Sequence, residues 1–168
     1  MKKRFMSLAL VLGVAALGAW AVAADEKTAE SEPWFDMEGC TCCKHLGDNM
    51  DMLMEVQWEN HLIKNGGIMT AAVPEKHKKR WDAVCKTMED SMTEMASEGK
   101  DLPLCNFCKS YGALMEAGAN MEDVETGFGS VTLITSDDPE VVKLIHKHFK
   151  RTQEESKKFE EMMKLQQQ

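Results

Sequence analysis

The sequence lacks the short motifs that mark the common enzyme chemistries. It contains no nucleophile elbow, no phosphate-binding loop, no His-Glu-x-x-His pattern and no dinucleotide-binding fingerprint. These absences favour a protein that is not an enzyme and that binds no nucleotide. If the chain is an enzyme, its cysteines leave thiol–disulfide oxidoreductase as the class to expect.

Basic residues are also scarce. The 168 residues include 20 lysines and arginines against 28 aspartates and glutamates, a formal net charge of −8. Three basic residues precede residue 5, so the chain after residue 24 carries 17 basic against 28 acidic residues, a net charge of −11. Nucleic acids and anionic membrane surfaces attract basic surfaces. We therefore expect no binding to nucleic acid.

The N-terminus has the pattern of an export signal. A basic start, residues 2–4, precedes a short apolar run from Phe5 to Trp20, and small residues offer cleavage sites after Ala23 or Ala24. The apolar run is too short for a comfortable membrane span. The sequence thus predicts a cleaved signal peptide at residues 1–24, a flexible segment at 25–36, and a periplasmic or secreted protein with no stable membrane anchor.

Six cysteines follow the predicted signal, and five of them gather in two tight clusters. An exported protein meets oxidising conditions, in which disulfides are the default expectation. A small disulfide scaffold would spread its cysteines along the chain, whereas clustered cysteines are typical of ligand or redox sites. Each cluster contains one C-x-x-C pair, Cys40/Cys43 and Cys105/Cys108. Covalent haem attachment requires a histidine directly after the pair, where Lys44 and Lys109 stand, so haem is excluded.

The two pairs belong to an internal repeat. When the chain is shifted so that Cys40 falls on Cys105, twelve positions are identical, beginning with the cysteines of the two pairs and the lysine that follows each. This predicts a duplication. The further identities are Gly47/Gly112, Met50/Met115, Thr70/Thr135, Pro74/Pro139, Glu75/Glu140, Lys78/Lys143, Thr87/Thr152, Glu89/Glu154 and Ser91/Ser156.

Each predicted repeat, residues 37–98 and 99–168, reads as helix, hairpin, helix. Glycine-containing turns at 65–67 and 127–129 separate stretches that can pair as strands, although residues 55–61 could instead extend the first helix. Asp138 and Pro139 supply a cap and first-turn proline for the closing helix. A lone hairpin is only marginally stable. We therefore expect an α+β fold in which two αββα units pack about a pseudo-two-fold, giving a small antiparallel sheet covered by helices.

The C-x-x-C pairs carry the functional prediction. Four thiolates would complete a tetrahedral Zn²⁺ shell, and the same soft ligands suit Cu(I). The sequence predicts an exported, non-enzymatic metal-binding protein, with a metal ion or a protein partner as its target. A thiol–disulfide redox protein and a structural module with closed disulfides are the alternatives. The predicted metal ligands are Cys40, Cys43, Cys105 and Cys108, with Cys42 and His45 as additional candidates.

Other candidate ligands are better explained by packing or solvent. Cys85 lies on the apolar stripe of its helix, which predicts a buried, inert thiol, and Met88, Met92 and Met95 continue that stripe. His146 and His148 are two residues apart on a helix, so they cannot both face one ion, and the simplest prediction is that both face solvent.

Overall fold

The computed structural model describes residues 32–98 and 102–166, without the side chains of residues 95–98 and 166. The predicted signal peptide, residues 1–24, lies outside the described residues, as does the side chain of Met95. The described chain from Pro33 onward forms one compact unit.

The described residues form an α+β fold with a four-stranded sheet and five helices. Two short helices, α1 (Lys44–Gly47) and α2 (Met50–Leu53), precede β1 (Gln57–Ile63) and β2 (Gly66–Ala72). A 3-10 turn, Glu75–His77, leads into the long helix α3 (Lys78–Glu98). The second half contains α4 (Asn106–Glu116), β3 (Asn120–Thr126), β4 (Gly129–Thr135) and α5 (Pro139–Gln166).

The sheet joins the two hairpins through their second strands. Its order is β1-β2-β4-β3, and every neighbouring pair is antiparallel. Both hairpins are closed by two residues, because Ile63 pairs with Gly66 and Thr126 pairs with Gly129. The two predicted hairpins are therefore confirmed, but the first turn is Lys64-Asn65 rather than 65–67, because Gly66 and Gly67 belong to β2, and the second turn is Gly127-Phe128. Residues 57–63 form a strand rather than an extension of the first helix.

The hairpins do not follow the offset that aligns the cysteines. That offset carries Gln57, the first residue of β1, onto Glu122, whereas β3 begins two positions earlier, at Asn120. One residue separates β2 from Pro74, and three separate β4 from Pro139, so the cysteine offset is restored at the closing helices. The identity of Thr70 with Thr135 in the ungapped comparison therefore does not reflect equivalent strand positions.

Helices α3 and α5 cover one face of the sheet. Ala71 of β2 packs against Trp81 and Val84 of α3, whereas Ile134 of β4 packs against Ile145 and Phe149 of α5. Both positions lie on the same face, because Ile134 pairs with Gly67, four residues before Ala71. The rest of the two core clusters consists of Met52, Val56 and Val73 around α3, and Leu114, Ala119 and Val141 around α5.

Three local predictions are wrong. The single helix expected after the first cysteines is two short helices, α1 and α2, and Met52 of α2 is fully buried. On α3, Cys85 and Met92 are exposed rather than buried, because the core contacts of this helix run through its other face. On α5, His148 is buried rather than facing solvent.

Within residues 32–98 and 102–166, no helix combines the length and the apolar character needed to cross a bilayer.

Candidate metal centre

The first cysteine pair sits in a tight turn that ends in α1. Asp36 Oδ1 accepts hydrogen bonds from the backbone N–H groups of Glu38 and Gly39, at 3.1 and 2.7 Å, which bends the chain just before Cys40. The N–H of Lys44 then donates to the carbonyl of Cys40 at 3.0 Å. The N–H of Cys43 points at the Cys40 sulfur, 3.4 Å away. This backbone donor stabilises negative charge on the sulfur.

The second pair sits in an equivalent turn at the start of α4. Cys105 is the residue before the helix and Cys108 lies in its first turn. The N–H of Lys109 donates to the carbonyl of Cys105 at 3.0 Å, the same distance as in the first pair. The N–H of Cys108 hydrogen-bonds to the Cys105 sulfur, as the N–H of Cys43 does to Cys40. Both C-x-x-C segments thus present their first sulfur to a backbone donor.

Backbone contacts between distant segments bring the two turns together. The N–H of Thr41 donates to the carbonyl of Pro103 at 2.9 Å, between the two pairs. The chain just before the first pair also caps α4, since the N–H groups of Asn106 and Phe107 donate to the carbonyls of Pro33 and Trp34, at 3.3 and 2.9 Å. These donors are helix-end N–H groups that have no partner within the helix.

The four sulfurs of the two pairs converge on one point. The ligand atoms of Cys40, Cys43, Cys105 and Cys108 all lie within 4.8 Å of one another. Three separations are shorter: 3.6 Å between Cys40 and Cys108, 3.5 Å between Cys43 and Cys105, and 3.6 Å between Cys43 and Cys108. The four cysteines therefore lie close enough to bind a metal ion.

The four thiols fall into two groups by the direction of their pKa shifts. The pKa is lowered for Cys40 and Cys105 and raised for Cys43 and Cys108. Hydrogen bonds with the Cys105, Cys108 and Cys43 side chains hold the pKa of Cys40 well below the ordinary thiol value. Hydrogen bonding from Cys108 likewise lowers the pKa of Cys105, to about 6. Hydrogen bonding to Cys105 raises the pKa of both Cys43 and Cys108, which keep their protons. A divalent cation at the centre would displace these two protons, because the thiolate is the form that binds metal.

Cys42 and His45, the additional candidate ligands predicted from the sequence, lie outside the set of four converging sulfurs. Cys42 is buried in the same cluster but is not one of the four sulfurs within 4.8 Å of one another. The ring of His45 is turned to α3, where its Nε2 lies 3.2 Å from Ser91 Oγ. Cys85 is exposed on α3. All six cysteines are free thiols, and even the separation of 3.5 Å between the Cys43 and Cys105 sulfurs is far longer than an S–S bond of about 2.05 Å.

An aromatic shell beside the cluster was missed by the sequence reasoning. Phe107, between the two cysteines of the second pair, packs against the cysteines and against Trp34, Phe35, Tyr111 and His148, with ring-centroid distances of 5.1–6.2 Å. The signal available in the sequence was the adjacent pair Trp34-Phe35, a short way before Cys40, which lay in the segment predicted to be flexible. This shell reduces the access of water to the cluster.

Comparisons with family models, with curated proteins and with solved structures found no match to this chain. The functional argument therefore rests on the geometry of the cysteine cluster.

Proposed function

We propose that the protein is a metal-binding protein that holds a single Zn²⁺ ion through Cys40, Cys43, Cys105 and Cys108. The observation that carries the proposal is the convergence of four sulfurs within 4.8 Å. Two distant segments of chain contribute them, each with a backbone donor on its first sulfur. Four cysteine sulfurs are the usual ligands of a structural zinc site, in which no coordination position stays open for a substrate. We therefore propose that the site binds the ion and does not catalyse a reaction.

The sulfur separations fit one ion rather than a larger cluster. A regular tetrahedron with Zn–S bonds of about 2.3 Å has sulfur–sulfur edges of about 3.8 Å. Three of the separations, 3.5–3.6 Å, are slightly less than this edge, and the upper bound of 4.8 Å is somewhat more. Small movements of the side chains would therefore complete the shell. A cluster of several metal atoms would push the sulfurs further apart.

Zn²⁺ is preferred to Cu(I) within this proposal because four sulfurs in tetrahedral arrangement are typical of zinc. Cu(I) is the alternative, since it also prefers soft thiolate ligands. Cys42 and His45 stay predictions from the sequence as further ligands. Their addition would raise the ligand number above the four that zinc takes in structural sites.

Metal analysis of the reduced protein, combined with a count of reactive thiols, tests the proposal. We expect about one zinc per chain and the four ligand thiols shielded from alkylation. Replacing Cys43 by serine should abolish stoichiometric binding, whereas Cys85→Ser, which removes an exposed thiol outside the cluster, should leave it intact. Two closed disulfides and no metal in protein taken from its native compartment would contradict the proposal and support the structural-module alternative.

Export to the periplasm or the exterior is part of the proposal. Its support is the basic start, the short apolar run and the small residues at 23 and 24. N-terminal sequencing of the protein from its source cells tests it. A mature N-terminus at residue 24 or 25 is expected, and a retained residue 1 in a cytoplasmic fraction would contradict it.

We further propose that the chain arose by duplication and that its halves are related by a pseudo-two-fold. Support comes from the paired C-x-x-C turns, the two hairpins with strands of equal length, and the antiparallel pairing of β2 with β4 at the centre of the sheet. A two-fold through that central pair would exchange the two hairpins. An experimental structure in which the rotation between the halves departs widely from a half-turn would contradict this relation.

A further inference from the structure

The cysteine cluster contains one thiol more than a tetrahedral ion uses. Four sulfurs complete the proposed ligand set. The fifth belongs to Cys42, which is only 2% exposed and packs in the same cluster as Cys108. Its counterpart in the second pair is Phe107, so the repeat does not require a cysteine there. A thiol packed among ligand sulfurs has reactive neighbours as well as a packing role.

The five thiols differ in their accessibility to solutes. Cys40, Cys42, Cys43 and Cys105 are 1–3% exposed, whereas Cys108 is half-buried. A small oxidant that approaches the cluster therefore meets Cys108 first. In the metal-loaded protein the remaining ligand sulfurs are held by the ion. Cys42 is then the thiol of the cluster that is free to react with Cys108.

We propose that Cys42 and Cys108 form a redox switch that releases the bound metal when a low-molecular-weight disulfide reacts with the site. The inference rests on the proposed four-thiolate centre and adds its regulation. Cys108 is the sulfur that reacts with the solute, and Cys42 is the buried thiol that completes the reaction. The product has a Cys42–Cys108 disulfide and three remaining thiolates, which hold zinc less tightly than four.

The reaction balances without a further reactant. The Cys108 thiolate attacks one sulfur of the small disulfide, which forms a mixed disulfide and expels a first thiolate. Cys42 then loses its proton and attacks the Cys108 sulfur, so that the Cys42–Cys108 bond forms and a second thiolate leaves. The two cysteines lose two electrons, which the small disulfide gains. The two expelled thiolates take up one proton from Cys42 and one from solvent.

Metal release from the zinc-loaded protein tests the switch. Oxidised glutathione is added under anaerobic conditions, and free zinc is followed with a chromogenic indicator. We expect the unchanged protein and the control Cys85→Ser to release zinc at the same rate, and Cys42→Ser and Cys42→Ala to release it about tenfold more slowly. Without Cys42 the expelled glutathione thiolate attacks the mixed disulfide again, regenerates the Cys108 thiolate and restores the fourth ligand. Peptide mapping of the oxidised, unchanged protein should show a bond between Cys42 and Cys108.

Several results would overturn the inference. Equal release rates with and without Cys42 would do so, as would a disulfide that maps to Cys40–Cys43 or Cys105–Cys108. Loss of zinc binding in both Cys42 variants would make Cys42 a ligand and also overturn it. The amount of zinc bound before oxidation separates this inference from the proposed function. An unchanged chain that binds no zinc contradicts both, whereas one that binds zinc and releases it independently of Cys42 contradicts the switch alone.

Discussion

His148 lies in the core with one ring nitrogen satisfied and the other without a partner. The residue is 2% exposed; its Nδ1 is 2.9 Å from Ser110 Oγ, whereas Nε2 is buried without a hydrogen bond. Burial lowers the pKa of His148 from 6.5 to about 4. The imidazole is therefore neutral at pH 7, since the charged form would have to be held among aromatic rings.

The stability of the fold should depend on the protonation of His148. The folded-state pKa of about 4 lies below the unfolded value of 6.5, so the unfolded chain binds more protons between these values. The free energy of unfolding should therefore fall as the pH drops from about 6.5 towards 4, by up to about 3 kcal/mol from this residue. Denaturant titrations at several pH values measure the effect.

One variant separates His148 from the other titrating groups. His148→Phe should flatten the pH dependence in this window, because it removes the buried imidazole. An identical pH dependence in His148→Phe and the unchanged protein would show that His148 does not carry the effect.

The burial of His148 could not be derived from its position in the sequence. His146 and His148 are two residues apart on a helix and cannot both face one ion, so both were expected to face solvent. The structure covers the side of α5 that carries His148 with Phe107 and Trp34, whose ring centroids lie 5.1 and 5.6 Å from His148. These rings come from distant parts of the chain, and local periodicity contains no information on such contacts. Cys85 shows the reverse case, since its side of α3 is exposed.

At the scale of the elements, helix α5 packs tightly against β2 at Gly67. A Cβ atom at this position would overlap the ring of Phe149, which is fully buried. Gly67→Ala should therefore destabilise the protein by about 1–3 kcal/mol, because the ring has to move within a packed core. Chemical denaturation provides the measurement.

Gly112 provides the control for this substitution. It lies inside α4, and a Cβ atom there would meet nothing within 4 Å. Gly112→Ala should be neutral or stabilising by up to about 1 kcal/mol, since alanine is the better helix former. Equal effects of the two substitutions would contradict the close approach of α5 to the sheet.

The strands and closing helices were easier to predict than the segment after the first cysteines. The glycine-containing stretches at 65–67 and 127–129 and the Asp138-Pro139 cap are local signals, and the hairpins and α5 form at or next to them. The sequence predicted one helix after the first cysteines. In the structure the chain bends between α1 and α2, and Met52 of α2 is buried. Tertiary packing of Met52 against Val56 and Trp81 decides this segment.

At the scale of the whole molecule, a metal ion would fasten the N-terminal cysteine turn to the start of α4. The two pairs lie in different halves of the chain and are linked directly by the Thr41–Pro103 hydrogen bond. Metal binding to the folded state alone should stabilise it by about 4 kcal/mol when free zinc is about a thousandfold above the dissociation constant. Thermal unfolding with zinc and after chelation measures this difference.

The expected result is a lower Tm after chelation in the unchanged protein and in Cys85→Ser. Cys43→Ser should show little dependence on zinc, since one of the four proposed ligands is missing. A zinc-independent Tm in the unchanged protein, at zinc concentrations that saturate the site, would contradict a role of the metal in stability.

The sequence predicted which residues form the site, but not that they lie close together in the fold. The repeated C-x-x-C pairs identified Cys40, Cys43, Cys105 and Cys108, and these are the four sulfurs that converge. Whether the pairs meet depends on long-range contacts, the Thr41–Pro103 bond and the capping of α4 by the carbonyls of Pro33 and Trp34. No periodicity or spacing in the sequence encodes them.

X-ray absorption at the zinc edge of the metal-loaded protein tests the central claim most directly. The four-thiolate centre predicts a single shell of four sulfur atoms at about 2.3 Å from the metal. A shell that contains nitrogen or oxygen atoms, or that has fewer than four sulfurs, would contradict it.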